Sequence, residues 1–440
     1  MAKEFTFDDL NKEMAKNSFL GERLDLSDVS KIEEYIDSGN YHLNACLTGS
    51  LFKGYPGNRS ICLAGPSGTG KTYLLLNAVK QAQDQGYFIV FYDSENAVDI
   101  DLVMKFGIDP TKFRYEPIST VQEFRTSVAN MTETLIENKR KGVTIPKILL
   151  CLDSAGNLAT QKEIDDSLSG SDKADMTRAK VLKSIFRILM TRMAEVKMPF
   201  IFTNHTYQTQ DLFSRTVSSG GTGIEYAASI ILFLSKAQHK EGAEKTGIVV
   251  TVKPNKNRFA KPSEIKFIIH FTKGMNRYVG LENYISWDYC GIDKGKIMDE
   301  KEMASIERKL EKQTGSKKDT MEELINKVKG TEFPFIQKVI EENDADGTQI
   351  EKDVELKFYY ISPDDAKTLG VGGASKGLAV KHLARTINPA ELFKSHVFTE
   401  EVLKGMEPLI REKFEYNTDV LDDEDIFEEL EASNTEDNDE

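Results

Sequence analysis

The chain has 440 residues, 40% of them hydrophobic and 29% charged, with 71 acidic against 57 basic side chains and a formal net charge of -14. That length accommodates a large core and two or three domains, and 12 prolines with 30 glycines exclude a collagenous or low-complexity chain. No run reaches the roughly 18 apolar residues of a membrane span, and the acid-bearing start MAKEFTFDDL is unlike a signal peptide, so a cytoplasmic protein without a membrane partner is expected. Cys46, Cys62, Cys151 and Cys290 lack CxxC spacing and read as reduced core thiols. Taken whole, the acidity argues against a polyanion partner. However, 13 of the acids follow Lys413 in a stretch without Lys or Arg, and the remainder carries 58 acidic and 57 basic residues. The body is electrically balanced, and a nucleic-acid partner stays open.

In chain order, residues 1–48 mix short apolar groups with charges and predict an N-terminal arm of one or two amphipathic helices. From Ser60, apolar runs alternate with amphipathic stretches: SICLAG, a helix after Gly70, YFIVFYD, a helix from Val121 to Lys141, KILLCLD, a helix from Met176 to Val196, and PFIFTN. This alternation predicts an α/β core over 49–285 with a mostly parallel sheet. After Gly223 the runs SIILFLS, GIVVTVK and EIKFIIHF follow one another directly, as antiparallel partners do. Residues 286–413 predict a small C-terminal domain, with a helical stretch from Ala379 to Phe414 and a turn at GVGGASKG. Residues 414–440 cannot bury enough apolar surface to fold alone and read as a disordered acidic tail, either a solubilising segment or a competitor with DNA.

The chemistry concentrates at Gly65-Pro66-Ser67-Gly68-Thr69-Gly70-Lys71-Thr72, a G-x-x-x-x-G-K-[ST] phosphate loop between an apolar run and a helical segment, with Tyr73 next in line. Its glycines let backbone N–H groups turn toward phosphate oxygens. Lys71 supplies charge to the β- and γ-phosphates of ATP. Thr72 supplies a hydroxyl for Mg2+, and Asp153, at the end of KILLCLD, is the expected acidic partner of that metal. A strand-end acid also serves as a helix cap, and the same alternative applies to Glu95. Glu95 follows YFIVFYD and is the candidate to activate water, while Asn204 and His205 end PFIFTN in the same crevice, where they can sense the γ-phosphate. Glu342-x-Asp344-x-Asp346-Gly347 echoes a calcium loop with the wrong first and last acids.

The ordered set GPSGTGKT (65–72), FYDSENAVD (91–99), LDSAGNLATQKE (152–163), DMTRAKVLKSIFRI (175–188), NHTYQTQDLFSRTVSSGGTG (204–223) and KNR (256–258) resembles the RecA family of recombinases, most closely its UvsX-type phage branch. The resemblance covers about Gly49 to Gly280. It implies a RecA-like ATPase core, Glu95 as catalytic glutamate, Asp99 as the acid meeting adenine, and His205 at the switch position. Lys256 and Arg258 are implied as a pair reaching the γ-phosphate of a neighbouring subunit, although as bare residues they also read as a solvated face. The family's second DNA loop falls on 206–223, with Phe213, Arg215, Gly220 and Gly221, a stretch that as bare sequence also reads as an ordinary surface loop. Loop one, about 160–175, is dominated by acids, so the better DNA-facing cations are Arg178, Lys180 and Lys183, with Arg187 on the face shared by the two lysines. The implied function is a DNA-dependent, Mg2+-dependent ATPase. It forms filaments on single-stranded DNA and exchanges strands with homologous double-stranded DNA in recombination, repair and recombination-dependent replication. Single-strand-binding and loader proteins are the expected partners, in the host cytoplasm if the chain is phage-encoded. A hexameric RecA-fold DNA helicase is the alternative.

Overall fold

A computed structural model describes residues 6–16, 24, 30–169, 178–208, 216–218, 223, 227–342, 349–371, 377–388 and 397–416. The core is a nine-stranded sheet built from β1 (Ser60–Ala64), β2 (Phe88–Asp93), β3 (Phe113–Pro117), β4 (Ile148–Asp153), β5 (Phe200–Asn204), β6 (Ile230–Glu241), β7 (Glu244–Asn257), β8 (Ile265–His270) and β9 (Gly274–Met275). Their spatial order is β9-β8-β7-β6-β1-β5-β4-β2-β3. The six strands from β6 to β3 run parallel, and β7, β8 and β9 are added antiparallel. This is the α/β, mostly parallel architecture that the alternation of strand and helix patterns predicts.

Both sheet faces are covered, so the central strands are apolar throughout. In β1, Ile61 and Leu63 enter one buried cluster and Cys62 and Ala64 the other, which is the period-two alternation of a strand. The first cluster takes Leu74, Leu75, Ala78 and Val79 from helix α1 (Lys71–Asp84). The second takes Val121, Phe124 and Val128 from α2 (Val121–Arg140) and Leu182, Ile185, Phe186 and Leu189 from α3 (Arg178–Glu195). Phe186, Phe200 and Phe202 stack there with centroids 4.8 to 5.9 Å apart. Thr120 and Glu123 start α2 with a reciprocal capping box. All four cysteines are buried, free thiols.

Of the segment expected as an arm, Phe7–Ala15 forms a helix capped by Thr6 and Asp9, whereas helix Tyr41–Thr48 contributes Leu43, Ala45, Cys46 and Leu47 to the main core. The segment expected as a C-terminal domain divides its buried apolar residues among three clusters. Residues 296–371 have their own, with Met298, Met303, Ile306, Ile325 and Ile361, beneath a three-stranded antiparallel sheet of Lys296–Asp299, Gln349–Ile361 and Phe333–Glu342. Trp287 stacks on Tyr360 at this unit's junction with the nine-stranded core. Helix Glu400–Phe414 then returns to the main cluster, burying Val402, Leu403, Met406, Ile410 and Phe414.

One expectation needs correction, and one echo set aside in the sequence finds no support. The first part of the stretch from Ala379 is not an α-helix: Leu378–Val380 pairs with Ile292–Asp293 and, across the 3-10 turn Lys381–Leu383 and Ala384 (φ 45°), with Arg385–Ile387, and of the rest the described residues become α-helical at Glu400. The calcium-loop echo is flanked by strands, with Glu342 opposite Gln349, rather than by the two helices such a loop joins. Its central residues 343–348, the turn residues 372–376 and the tail 417–440 lie outside the described residues.

Candidate nucleotide site and nucleic-acid face

The phosphate loop leaves β1 and closes at Gly70, whose φ of 93° is a backbone state that favours glycine. Gly65 must also be glycine for lack of room, since a Cβ there would lie 2.5 Å from the Leu234 carbonyl oxygen. The loop is braced by Thr69 Oγ1 donating to the Pro66 carbonyl at 2.9 Å and by Gly65 N donating to the Asn204 carbonyl at 3.1 Å. Lys71 is buried and donates to the carbonyls of Gly65 and Pro66, both at 2.9 Å. Burial lowers its pKa, partly offset by Glu95 and Asp153. A partly desolvated ammonium of this kind gains more from a phosphate oxygen than a solvated one.

Three strand ends bring the polar groups to this loop. Thr72 Oγ1 donates to Asp153 Oδ2 at 2.7 Å, and Thr203 Oγ1 donates to Asp153 Oδ1. Burial pushes the pKa of Asp153 up, against the two hydroxyls that lower it. A hydroxyl beside a buried carboxylate is a hard-oxygen donor set of the type Mg2+ takes, so the pair fits that ion. Glu95 lies between β2 and β5: Ser154 Oγ donates to its Oε1 at 2.6 Å, and His205 Nε2 is 2.8 Å from the same oxygen. Burial raises the pKa of Glu95, but Ser154, His205 and Lys71 together hold it below the ordinary glutamate value. Its Oε2 accepts no hydrogen bond from the described residues. Gly156 permits this packing, because a Cβ there would come within 2.9 Å of Asn204 Oδ1 and 3.2 Å of His205 Cδ2.

The profile of the RecA N-terminal domain family matches residues 2–276. The chain belongs to the RecA family. The match ends just past β9 and therefore takes in all nine strands. Among known proteins, the chain is similar to the "Recombination and repair protein" of Enterobacteria phage T4, 32% identical over 275 residues, 62% of this chain and 66% of that protein. It is also similar to "Protein RecA" of Arthrobacter sp. (strain FB24), 27% identical over 268 residues, 60% of this chain and 70% of that protein. The matched region thus spans about two thirds of these relatives, and residues 277–440, including the unit 296–371 and the returning helix, lie beyond it.

In this RecA-family chain the remaining expected site residues are dispersed. The ring of Tyr73 packs edge-on against Phe106, and its hydroxyl accepts from Met275 N at 2.9 Å, which ties α1 to β9. Asp99 caps the short helix Ile100–Lys105 by accepting from Leu102 N at 2.8 Å. Lys256 lies opposite Ile231, which in turn pairs with Cys62, and Arg258 follows the last residue of β7. Lys256 is therefore level with the middle of β1 and Arg258 with its beginning, on the side away from the phosphate loop of the same chain. Arg178 is not a free cation: its guanidinium donates to the carbonyls of Leu158 (2.8 Å), Ala155 and Gly156, pinning the start of α3 to the segment after β4. Lys180, Lys183 and Arg187 are exposed on α3. Gly223 lies against that helix, where a Cβ would be 2.8 Å from Lys183 Cβ. Phe213, Arg215, Gly220 and Gly221 lie outside the described residues.

Some site residues carried no sequence signal. Lys236 on β6 reaches over the phosphate loop and donates to the Ser67 carbonyl at 3.1 Å, yet it belongs to no motif and sits 165 positions after Lys71. Asp93 fixes the entry to Glu95 by accepting from Glu95 N at 2.9 Å, Val98 N at 3.2 Å and Tyr115 OH at 3.2 Å. The regularity that strand-end residues of parallel strands converge was the available clue.

Proposed function

We propose that the protein is a DNA-dependent ATPase and homologous recombinase that assembles into helical filaments on single-stranded DNA and pairs it with homologous duplex. The observation that carries this reading is Glu95, held by Ser154 and His205 with its Oε2 unengaged, in the same crevice as Lys71 and the Thr72–Asp153 pair. The relatives' names, a recombination and repair protein and RecA, supply the biological direction.

Residue by residue, the backbone of 65–72 would wrap the ATP phosphates, and Lys71 would leave its carbonyl partners for the β- and γ-phosphate oxygens. Thr72 and Asp153 would hold Mg2+, which supplies charge neutralisation across the phosphates. Glu95 would take a proton from water through Oε2 as the water oxygen bonds to the γ-phosphorus and the bond to the ADP oxygen breaks. The Ser154 hydroxyl keeps the carboxylate ionised and oriented for that role. His205 touches Glu95 and starts the segment that faces DNA, so DNA binding and the position of the base are coupled through one side chain. Lys256 and Arg258 would complete the charge at a neighbour's γ-phosphate, making hydrolysis dependent on assembly.

The test is imaging of the protein on single-stranded DNA with a non-hydrolysable ATP analogue, together with ATPase assays of Glu95→Gln. Helical filaments are expected, together with a loss of about 10²–10⁴ in DNA-stimulated turnover while nucleotide binding persists. Closed rings would favour a hexameric helicase instead, and wild-type turnover in Glu95→Gln would remove the assigned base.

A further inference from the structure

A cavity of about 300 Å3 opens at the edge of the sheet where β1 and β5 begin, on the side away from the phosphate loop. Its polar lining is Asn58, Arg59, Ser60, Ser229 and Arg258, and its wall is apolar, including Met193 and Phe200. No carboxylate lines it among the described residues. The guanidinium of Arg59 donates only to backbone carbonyls, those of Asn58 at 3.1 Å and Ser30 at 3.3 Å, and neither arginine pairs with an acid among the described residues. Burial, and then the nearby charge of Arg258, lower the pKa of Arg59. Two like charges beside an apolar wall, without a counter-ion among the described residues, form a site that an anion stabilises, and a planar guanidinium fork suits phosphate oxygens in particular.

We infer that Arg59 works with Arg258 as a second guanidinium for the phosphates of the nucleotide held by the neighbouring subunit. This rests on the filament reading above. In a head-to-tail assembly one surface of each subunit meets a different surface of the next. The phosphate loop is at one edge of the sheet and the arginine cavity at the other, so the assembly brings the cavity of one subunit to the triphosphate of its neighbour. Arg59 lies at the start of the strand that ends in that subunit's own phosphate loop. One strand would then serve two nucleotides, its own at one end and its neighbour's at the other.

The test uses full-length protein with single-stranded DNA and ATP. Arg59→Gln alone is expected to lose about 10- to 100-fold in ATPase turnover, less than a lone arginine finger because Arg258 remains. It is then mixed in equal amounts with Glu95→Gln, which keeps an intact arginine face and holds nucleotide. If Arg59 acts across the junction, random mixing gives about one junction in four with an intact Glu95 and an intact facing Arg59, and turnover rises toward about a quarter of wild type. Arg258→Gln mixed with Glu95→Gln is the reference. Recovery with Arg258→Gln but not with Arg59→Gln overturns the role of Arg59 alone. Recovery in neither mixture overturns the filament-junction reading and this inference with it. Wild-type turnover in Arg59→Gln alone also overturns the inference. Should Arg59→Gln melt below wild type, Arg59→Lys, which keeps the charge and loses the fork, takes its place with the same expected rescue and the same overturning result.

Discussion

Ser154→Ala removes one hydroxyl and should move the acid limb of the ATPase pH profile. In the folded protein Ser154 Oγ donates to Glu95 Oε1 at 2.6 Å, whereas the backbone of Ser154 is tied separately, its N donating to Ser94 Oγ at 2.9 Å and its carbonyl accepting from the same hydroxyl at 2.8 Å. Alanine therefore deletes the donor without releasing the loop. A hydrogen bond to a carboxylate is worth about 1.5–3 kcal/mol to the charged form when enclosed. Glu95 is 25% exposed, so solvent replaces part of the loss and about 0.7–1.4 kcal/mol remains, or about 0.5–1 pH unit. The sign follows from the role: Glu95 is held below its ordinary pKa and acts as a base only when ionised. Losing a donor raises its pKa, and activity begins to fall at a higher pH than in wild type. The assay is ATP turnover on single-stranded DNA in brief single-pH exposures from about pH 3 to 8, which takes in the acid limb of a glutamate held below its ordinary value. An acid limb that stays in place, or moves to lower pH, would refute the assignment of Glu95 as the titrating base.

Two further substitutions test the scaffold. Thr203→Val removes the donor to Asp153 Oδ1 at a fully buried position; it should lower chemical stability by about 1–3 kcal/mol, read as an earlier denaturation midpoint. Gly280→Ala places a methyl 2.1 Å from His42 Nδ1 at a residue with φ of 105°; strain of about 1–2 kcal/mol and overpacking of about 1–3 kcal/mol should reduce soluble, folded protein sharply, measurable by thermal melting.

The nucleotide-site half of the molecule is legible because its signals are local. The phosphate loop, the strand before it and the helix after it lie within 25 residues, and parallel strands deliver their ends to one crevice. Thr72 and Asp153, 81 positions apart, meet for that reason, as do Glu95 and His205, 110 apart. Residues whose role depends on packing between distant segments were not legible. Arg178 reads as a cation at the start of a helix, and only the approach of the segment after β4 turns it into a brace for three carbonyls. Tyr73 follows the loop in sequence but is directed by Met275 and Phe106. A helical period over 379–414 could not reveal that its first part pairs as strands, since short apolar runs serve either state.

The returning helix Glu400–Phe414 changes what counts as the folding unit. Glu407 accepts from Ser50 Oγ at 2.6 Å and Leu51 N at 2.9 Å, and Phe414 is fully buried against His42 and Tyr284. The unit 296–371 is thus an insertion, bracketed in sequence by two parts of one core. A chain cut at the end of the family match would lose Phe414 from His42 and Glu407 from Ser50 and Leu51, so the main core is completed only by residues that lie beyond that match. Tyr416, the last described residue, donates its hydroxyl to the Asn257 carbonyl at 3.1 Å, so the described chain ends on the nine-stranded core and not on the inserted unit.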